Sequence, residues 1–200
     1  EVATSSNLWV NLFIMVLCAP VAEELIFRKL LIDRLAQYGE GVAVLFSGLM
    51  FGLFHGNLNQ FVYAFVLGLC FGFIYVKTGN IRYTIGLHML VNFLGSVLGV
   101  AILKWLGDDF LSIASDPAGM MSYMTGNFGK LIVYFIYIFL LLGVAIAGII
   151  LFIVNLKKIR FLPGMNTLPK GKRFSTTVLN VGMALYMIVW IVIIIVQLFQ

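Results

Sequence analysis

From residue 129 to residue 156 the chain is apolar except for Lys130 and Asn155, and Ile188–Val196 is an unbroken apolar run. Neither stretch alternates in polarity, as a lipid-facing barrel strand would. The hydrocarbon core of a bilayer offers no water to backbone N–H and C=O groups, so only helices and closed barrels cross it. A run of about 20 apolar residues without alternation therefore predicts a membrane helix. Composition extends this to the whole chain. Hydrophobic residues make up 62% and charged residues 10%, whereas a soluble domain is about 25% charged. That apolar excess does not fit inside one core of this size, so lipid must cover it. Disorder and nucleic-acid binding are excluded as main readings, because the net charge of +5 sits between apolar spans.

Turn signals divide the chain into six predicted helices, at about 7–37, 41–56, 60–77, 82–105, 129–156 and 176–199. Gly39-Glu40-Gly41, Gly56-Asn57-Leu58-Asn59 and Thr78-Gly79-Asn80 mark the first three breaks. The expected fold is all-α, a polytopic transmembrane bundle forming a single membrane-embedded domain over 1–200. Residues 7–105 hold every unusual polar residue within a span and form the expected catalytic core. Residues 106–200 are expected to supply two packing helices and their loops. The chain begins at Glu1 rather than Met, which predicts a fragment or a processed product with helices upstream. No signal peptide is visible, and Cys18 and Cys70 lack the spacing of a disulfide or thiolate metal site.

Loop charge predicts orientation. Lys157, Lys158, Arg160, Lys170, Lys172 and Arg173 share one loop with no acid, whereas Asp108, Asp109 and Asp116 share the preceding loop. The positive-inside rule places the basic loop in the cytoplasm and the acidic loop outside. Counting back, Arg28, Lys29, Arg34, Lys77 and Arg82 fall on the cytoplasmic side, and both chain ends outside. The expected location is a plasma membrane, with a site opening toward the cytoplasm.

Glu23 and Glu24 interrupt the first span, where a carboxylate costs roughly 3 kcal/mol on insertion scales. Arg28 follows Glu24 at i+4, the favoured order for an ion pair. Glu23 is rotated about 100° away and left free. Pro20 is expected to release the Val16 carbonyl from the helix ladder. The two histidines, His55 and His88, both lie in or at the edge of spans, and Asn92 shares a helix face with His88. Glu23 and His55 are each sixteen residues from Gly39, so an antiparallel hairpin sets both roughly 24 Å from the turn. His88 and Asn92, eight and twelve residues past Asn80, fall about 12–18 Å along the fourth span.

This set suits water activation by a carboxylate. Glu23, helped by His55, would take a proton from water, and His88 and Asn92 would donate to the oxyanion. No metal or other cofactor is required in that scheme. A zinc hydrolase using Glu23, His55 and His88 is the rival, although a carboxamide at Asn92 is a poor zinc ligand. Ser47 and Ser96 lie at least eight residues from the nearest histidine, which makes a serine–histidine hydrolase weak. No Gly-rich phosphate loop is present.

Glu23-Glu24-Leu25-Ile26-Phe27-Arg28 resembles the EExxxR motif of the CAAX-protease and bacteriocin-processing (Abi) family of intramembrane endopeptidases. Phe51–His55 resembles its FxxxH motif, and His88–Asn92 its HxxxN motif. The three stand in order, each on an apolar span, within residues 15–100. The resemblance, which extends to the type II CAAX prenyl endopeptidase, implies peptide-bond hydrolysis within the membrane. It implies Glu23 and His55 as activators of water, His88 and Asn92 as the oxyanion hole, and Glu24 and Arg28 as supporting residues. The implied partners are a peptide or a prenylated or precursor protein, with membrane lipids around the bundle. Two non-protease readings remain at this stage. One is a non-catalytic immunity or regulatory protein. The other is a transporter with a Glu23/Glu24 proton relay, for which no second copy of the pair is found.

Overall fold

Short polar caps cut the apolar sequence into helices. The computed structural model describes residues 7–107, 110–166, 169–172, 176 and 180–199. Among these, seven helices follow one another: α1 (Leu8–Tyr38), α2 (Glu40–Phe54), α3 (Leu58–Thr78), α4 (Ile81–Leu106), α5 (Phe110–Ala114), α6 (Pro117–Asn155) and α7 (Val181–Leu198). The described residues contain no strand, only an isolated bridge between Gly39 and Pro163. The chain is an all-α polytopic bundle, and five helices (α1, α3, α4, α6 and α7) are long and apolar enough to cross a membrane. It is an integral, multi-pass membrane protein.

Each boundary has a local cause. Gly39 turns α1 into α2 at φ 116°, a conformation a side chain would resist. Asn57 opens α3 by accepting from the Asn59 and Gln60 N–H groups, and Gly79 closes it in the left-handed region. Asp116 accepts from the Ala118 and Gly119 N–H groups, with Pro117 at the first helical position. These two residues start α6 at 117, twelve residues before the predicted 129. The break expected there survives as a kink at Asn127, whose φ of −128° is not helical. α7 begins at Val181 behind its cap Asn180, not at 176, and residues 177–179 of the predicted span lie outside the described residues. Asp108, Asp109 and Arg173, used for orientation, also lie outside them.

Wide turns with i→i+5 bonding run through Asn11–Cys18 and Leu25–Ile32 in α1 and Phe93–Gly99 in α4. Such turns recur at functional sites. Pro20 explains where the first one stops. The next acceptor in that series, the Met15 carbonyl, would need an N–H from residue 20, which proline lacks. Pro20 offers no N–H to this carbonyl, nor to the Val16 carbonyl that i→i+4 counting points to.

The chain packs as two units. The first comprises Glu1–Cys18 and Met89–Arg160. Its core is Leu106, Phe110 and Leu131, flanked by Ile102, Met120, Tyr123 and Tyr134. Most apolar side chains of α6 are exposed, from Val133 to Val154, as a lipid-facing helix requires. The second unit comprises Ala19–His88 and Phe161–Gln200. Here α2 and α3 pack backbone to backbone: a Cβ built on Gly68 would lie 2.8 Å from the Gly48 Cα. Any side chain there would push the helices apart. Phe27, Phe51 and Ala64 form one core cluster of this unit, and Ile32, Ala43 and Tyr75 another.

Candidate active site

Glu24 and Arg28, one helical turn apart on α1, are both fully buried. Arg28 Nη2 donates to Glu24 Oε1 at 3.2 Å, and Arg28 Nε lies 3.0 Å from Glu24 Oε2, close but not aligned for a hydrogen bond. His88, reaching in from α4, places Nδ1 3.1 Å from the same Glu24 Oε1. An ionised carboxylate only accepts, so Nδ1 carries the proton. Glu24 is thereby held from two sides.

Glu23 differs. Its Oε2 is buried without a hydrogen-bond partner among the described residues. The nearest ring nitrogen is His88 Nε2 at 3.7 Å. His55 is also within electrostatic reach of this carboxylate. Unpaired buried polar atoms are rare and mark strain or chemistry.

His55 ends α2, and its Nδ1 lies 2.9 Å from the Phe51 carbonyl. The carbonyl accepts, so Nδ1 donates and Nε2 keeps its lone pair. The Phe51 ring stands edge-on to both imidazoles, with centroids 4.9 Å from His55 and 5.5 Å from His88. It also lies 4.9 Å from the Arg28 guanidinium carbon, within cation–π range. This single aromatic ring, the Phe of the second motif, touches three of the six predicted site residues.

Within the second unit the fold thus gathers Glu23, Glu24, Arg28 and His88, with His55 joined through Phe51. Asn92 belongs to the first unit. There its Nδ2 donates to the Met15 carbonyl at 2.7 Å. Ser96 Oγ donates to the Asn92 carbonyl at 2.6 Å, and Asn11 Nδ2 to the Ser96 carbonyl at 3.2 Å.

Four further side chains have no motif position. Ser47 accepts from Arg28 Nη1 at 2.9 Å. The Phe71 ring lies 5.5 Å from that of His88. Trp190 of α7 packs 5.2 Å from Phe54, and Tyr186 Oη donates to the Met50 carbonyl at 2.7 Å. The i, i+4, i+8 spacing of Ser47, Phe51 and His55 was a signal for the first; nothing in the sequence marks the α7 aromatics. Among the described residues, no three His, Cys, Asp or Glu side chains are grouped as a metal-ligand set.

A family model described as "Type II CAAX prenyl endopeptidase Rce1-like" matches residues 5–94. Over that stretch the chain is similar to this family. The match takes in all three motifs and their six site residues. A Bacillus subtilis (strain 168) protein named "Putative membrane peptidase YdiL" is 33% identical over 74 residues, 36% of this chain. The aligned stretch spans 30% of that protein's own length. No solved structure matches the chain.

Proposed function

We propose that this chain carries the active site of an intramembrane endopeptidase, one that hydrolyses a peptide bond in a membrane-associated or lipidated peptide. The observation that carries the reading is the asymmetry of the carboxylate pair. Glu24 Oε1 is bonded by Arg28 and His88 and its Oε2 lies 3.0 Å from Arg28 Nε, whereas Glu23 Oε2 is buried with no hydrogen-bond partner among the described residues and 3.7 Å from His88 Nε2. A free carboxylate beside two imidazoles is suited to take a proton from water. The water oxygen attacks the peptide carbonyl while its proton passes to Glu23, with the His55 Nε2 lone pair as the second acceptor. The second Asn92 amide proton, with His88 Nε2 when it also carries a proton, would donate to the oxyanion. As the C–N bond breaks, Glu23 returns the proton to the leaving amine.

Similarity to CAAX prenyl endopeptidases and to a protein named as a membrane peptidase supports this class. An apolar cavity of about 280 Å³, lined by Phe27, Leu30, Leu31, Met50, Phe54 and Tyr186 among others, supports an apolar or lipidated substrate. It shares Phe27 with the core packed on Phe51. In this reading the protein lies in a plasma membrane with the basic 157–173 loop in the cytoplasm, and the site opens on that side. Water activation is assigned to Glu23 and needs no metal. The alternative is the zinc-dependent form of the same reaction, with Glu23, His55 and His88 as ligands. The test is cleavage of prenylated and unmodified precursor peptides by the protein in detergent. Turnover that Glu23→Gln abolishes supports the reading. A wild type that cleaves none of them overturns it in favour of a non-catalytic membrane role.

A further inference from the structure

Ser47 belongs to none of the three motifs, yet its side chain is fully buried in α2. Its oxygen accepts from Arg28 Nη1 at 2.9 Å, and its proton goes to the Phe27 carbonyl at 2.8 Å. With both engaged, the hydroxyl is not a free nucleophile. Ser47, Phe51 and His55 recur every four residues and so present one helix face. Beside that face lie Gly48 and Gly52, where α3 approaches too closely for side chains. Ser47 is thereby held in place by the tight α2–α3 packing.

The guanidinium is a planar fork, so the direction of one arm fixes the others. One arm of Arg28 is on Ser47; another arm and Nε are on Glu24. The Phe51 and Phe71 rings lie 4.9 and 5.8 Å from its central carbon and restrict tilting of the plane. Glu24 Oε1, oriented by that fork, receives His88 Nδ1, and this contact aims His88 Nε2 at Glu23. We propose that Ser47 is a positioning residue: through Arg28 and Glu24 it sets the orientation of the His88 ring against Glu23. Its kinetic consequence rests on the protease reading above; its structural consequence does not.

The test uses the full chain in detergent micelles with ¹⁵N-labelled histidine. Only two histidines are present, so His55→Gln assigns both sets of ring signals. In the wild type, His88 Nδ1–H should resonate downfield, as a proton shared with a buried carboxylate. Ser47→Ala should shift or broaden that signal and leave the His55 signals in place. Ser47→Thr, which keeps the hydroxyl, should restore it. If Ser47→Ala does not fold, Ser47→Cys, a weaker acceptor of similar shape, should give the same shift. An unmoved His88 signal in either folded variant overturns the proposal.

The kinetic arm uses a prenylated peptide as probe. Ser47→Ala should lower kcat about tenfold, the scale of one lost charge-assisted hydrogen bond, with KM changed by less than about twofold. Ser47→Thr should recover most of the rate. A loss confined to KM, or no loss, overturns the proposal. If the wild type cleaves no peptide, the protease reading fails, and the His88 signal still decides the role of Ser47.

Discussion

Glu23 and Glu24 are neighbours in sequence with opposite surroundings. The helix rotates them apart, so Arg28 one turn on reaches only Glu24, and His88 completes that site. This much was legible in the sequence, because i,i+4 pairing is local geometry. The partner of His88 Nδ1 was not legible, since it depends on how α4 docks on α1. A buried pair is costly to break on one side. Arg28→Ala should destabilise the protein by about 3–5 kcal/mol, because Glu24 keeps its charge without compensation. Replacing both, as Glu24→Leu with Arg28→Met, should cost clearly less. Thermal unfolding in detergent measures both variants, and a double variant less stable than Arg28→Ala would refute the argument.

The helices between 8 and 106 were read from periodicity and turn residues to within a few positions. The start of α6 was not, because Asp116 and Pro117 outweigh the polar, glycine-containing sequence up to Gly129. The wide turn before Pro20 was also missed. Whether a proline frees the carbonyl four or five residues back depends on a ladder that sequence does not specify. That difference has a measurable consequence. The Met15 carbonyl takes the Asn92 amide. Asn92→Ala should cost about 1–3 kcal/mol. Pro20→Ala, which supplies an N–H at that position, should raise the melting temperature more in the Asn92→Ala background than in the wild type. Equal increments in the two backgrounds would show that Asn92 does not act on this carbonyl.

Across the whole molecule, apolar surface faces outward and charge collects at the loops, as a bilayer requires. One loop is tied down. Glu40, at the first position of α2, accepts from the Lys77 ammonium and, at 2.9 Å, from the Leu162 N–H. Asn166 Nδ2 donates to Gln37 Oε1 at 2.8 Å. Partial burial opposes the Glu40 charge, but the bonds from Lys77 and Leu162 outweigh it and hold its carboxyl below the ordinary value of 4.5. A depressed carboxylate contributes stability above the unfolded value and loses it as pH falls through the folded one. The 159–166 segment should thus stay fastened above about pH 4.5 and loosen below it. Acid-tolerant protease should then cut near Phe161 faster as pH drops, and Glu40→Gln should cut fast throughout. A cleavage rate independent of pH in the wild type would refute the clasp. Cysteines introduced between 157 and 172 should resist labelling from outside intact cells, and labelling there would reverse the proposed orientation.

Whether Glu23 activates water is decided by single-turnover cleavage of a prenylated peptide by wild type and Glu23→Gln, each after exhaustive chelation. Full wild-type turnover is expected without metal, with a loss of at least about a hundredfold in Glu23→Gln, the lower range for a general base. Turnover that vanishes on chelation and returns with added zinc would contradict this role for Glu23, as would a Glu23→Gln variant that cleaves at the wild-type rate.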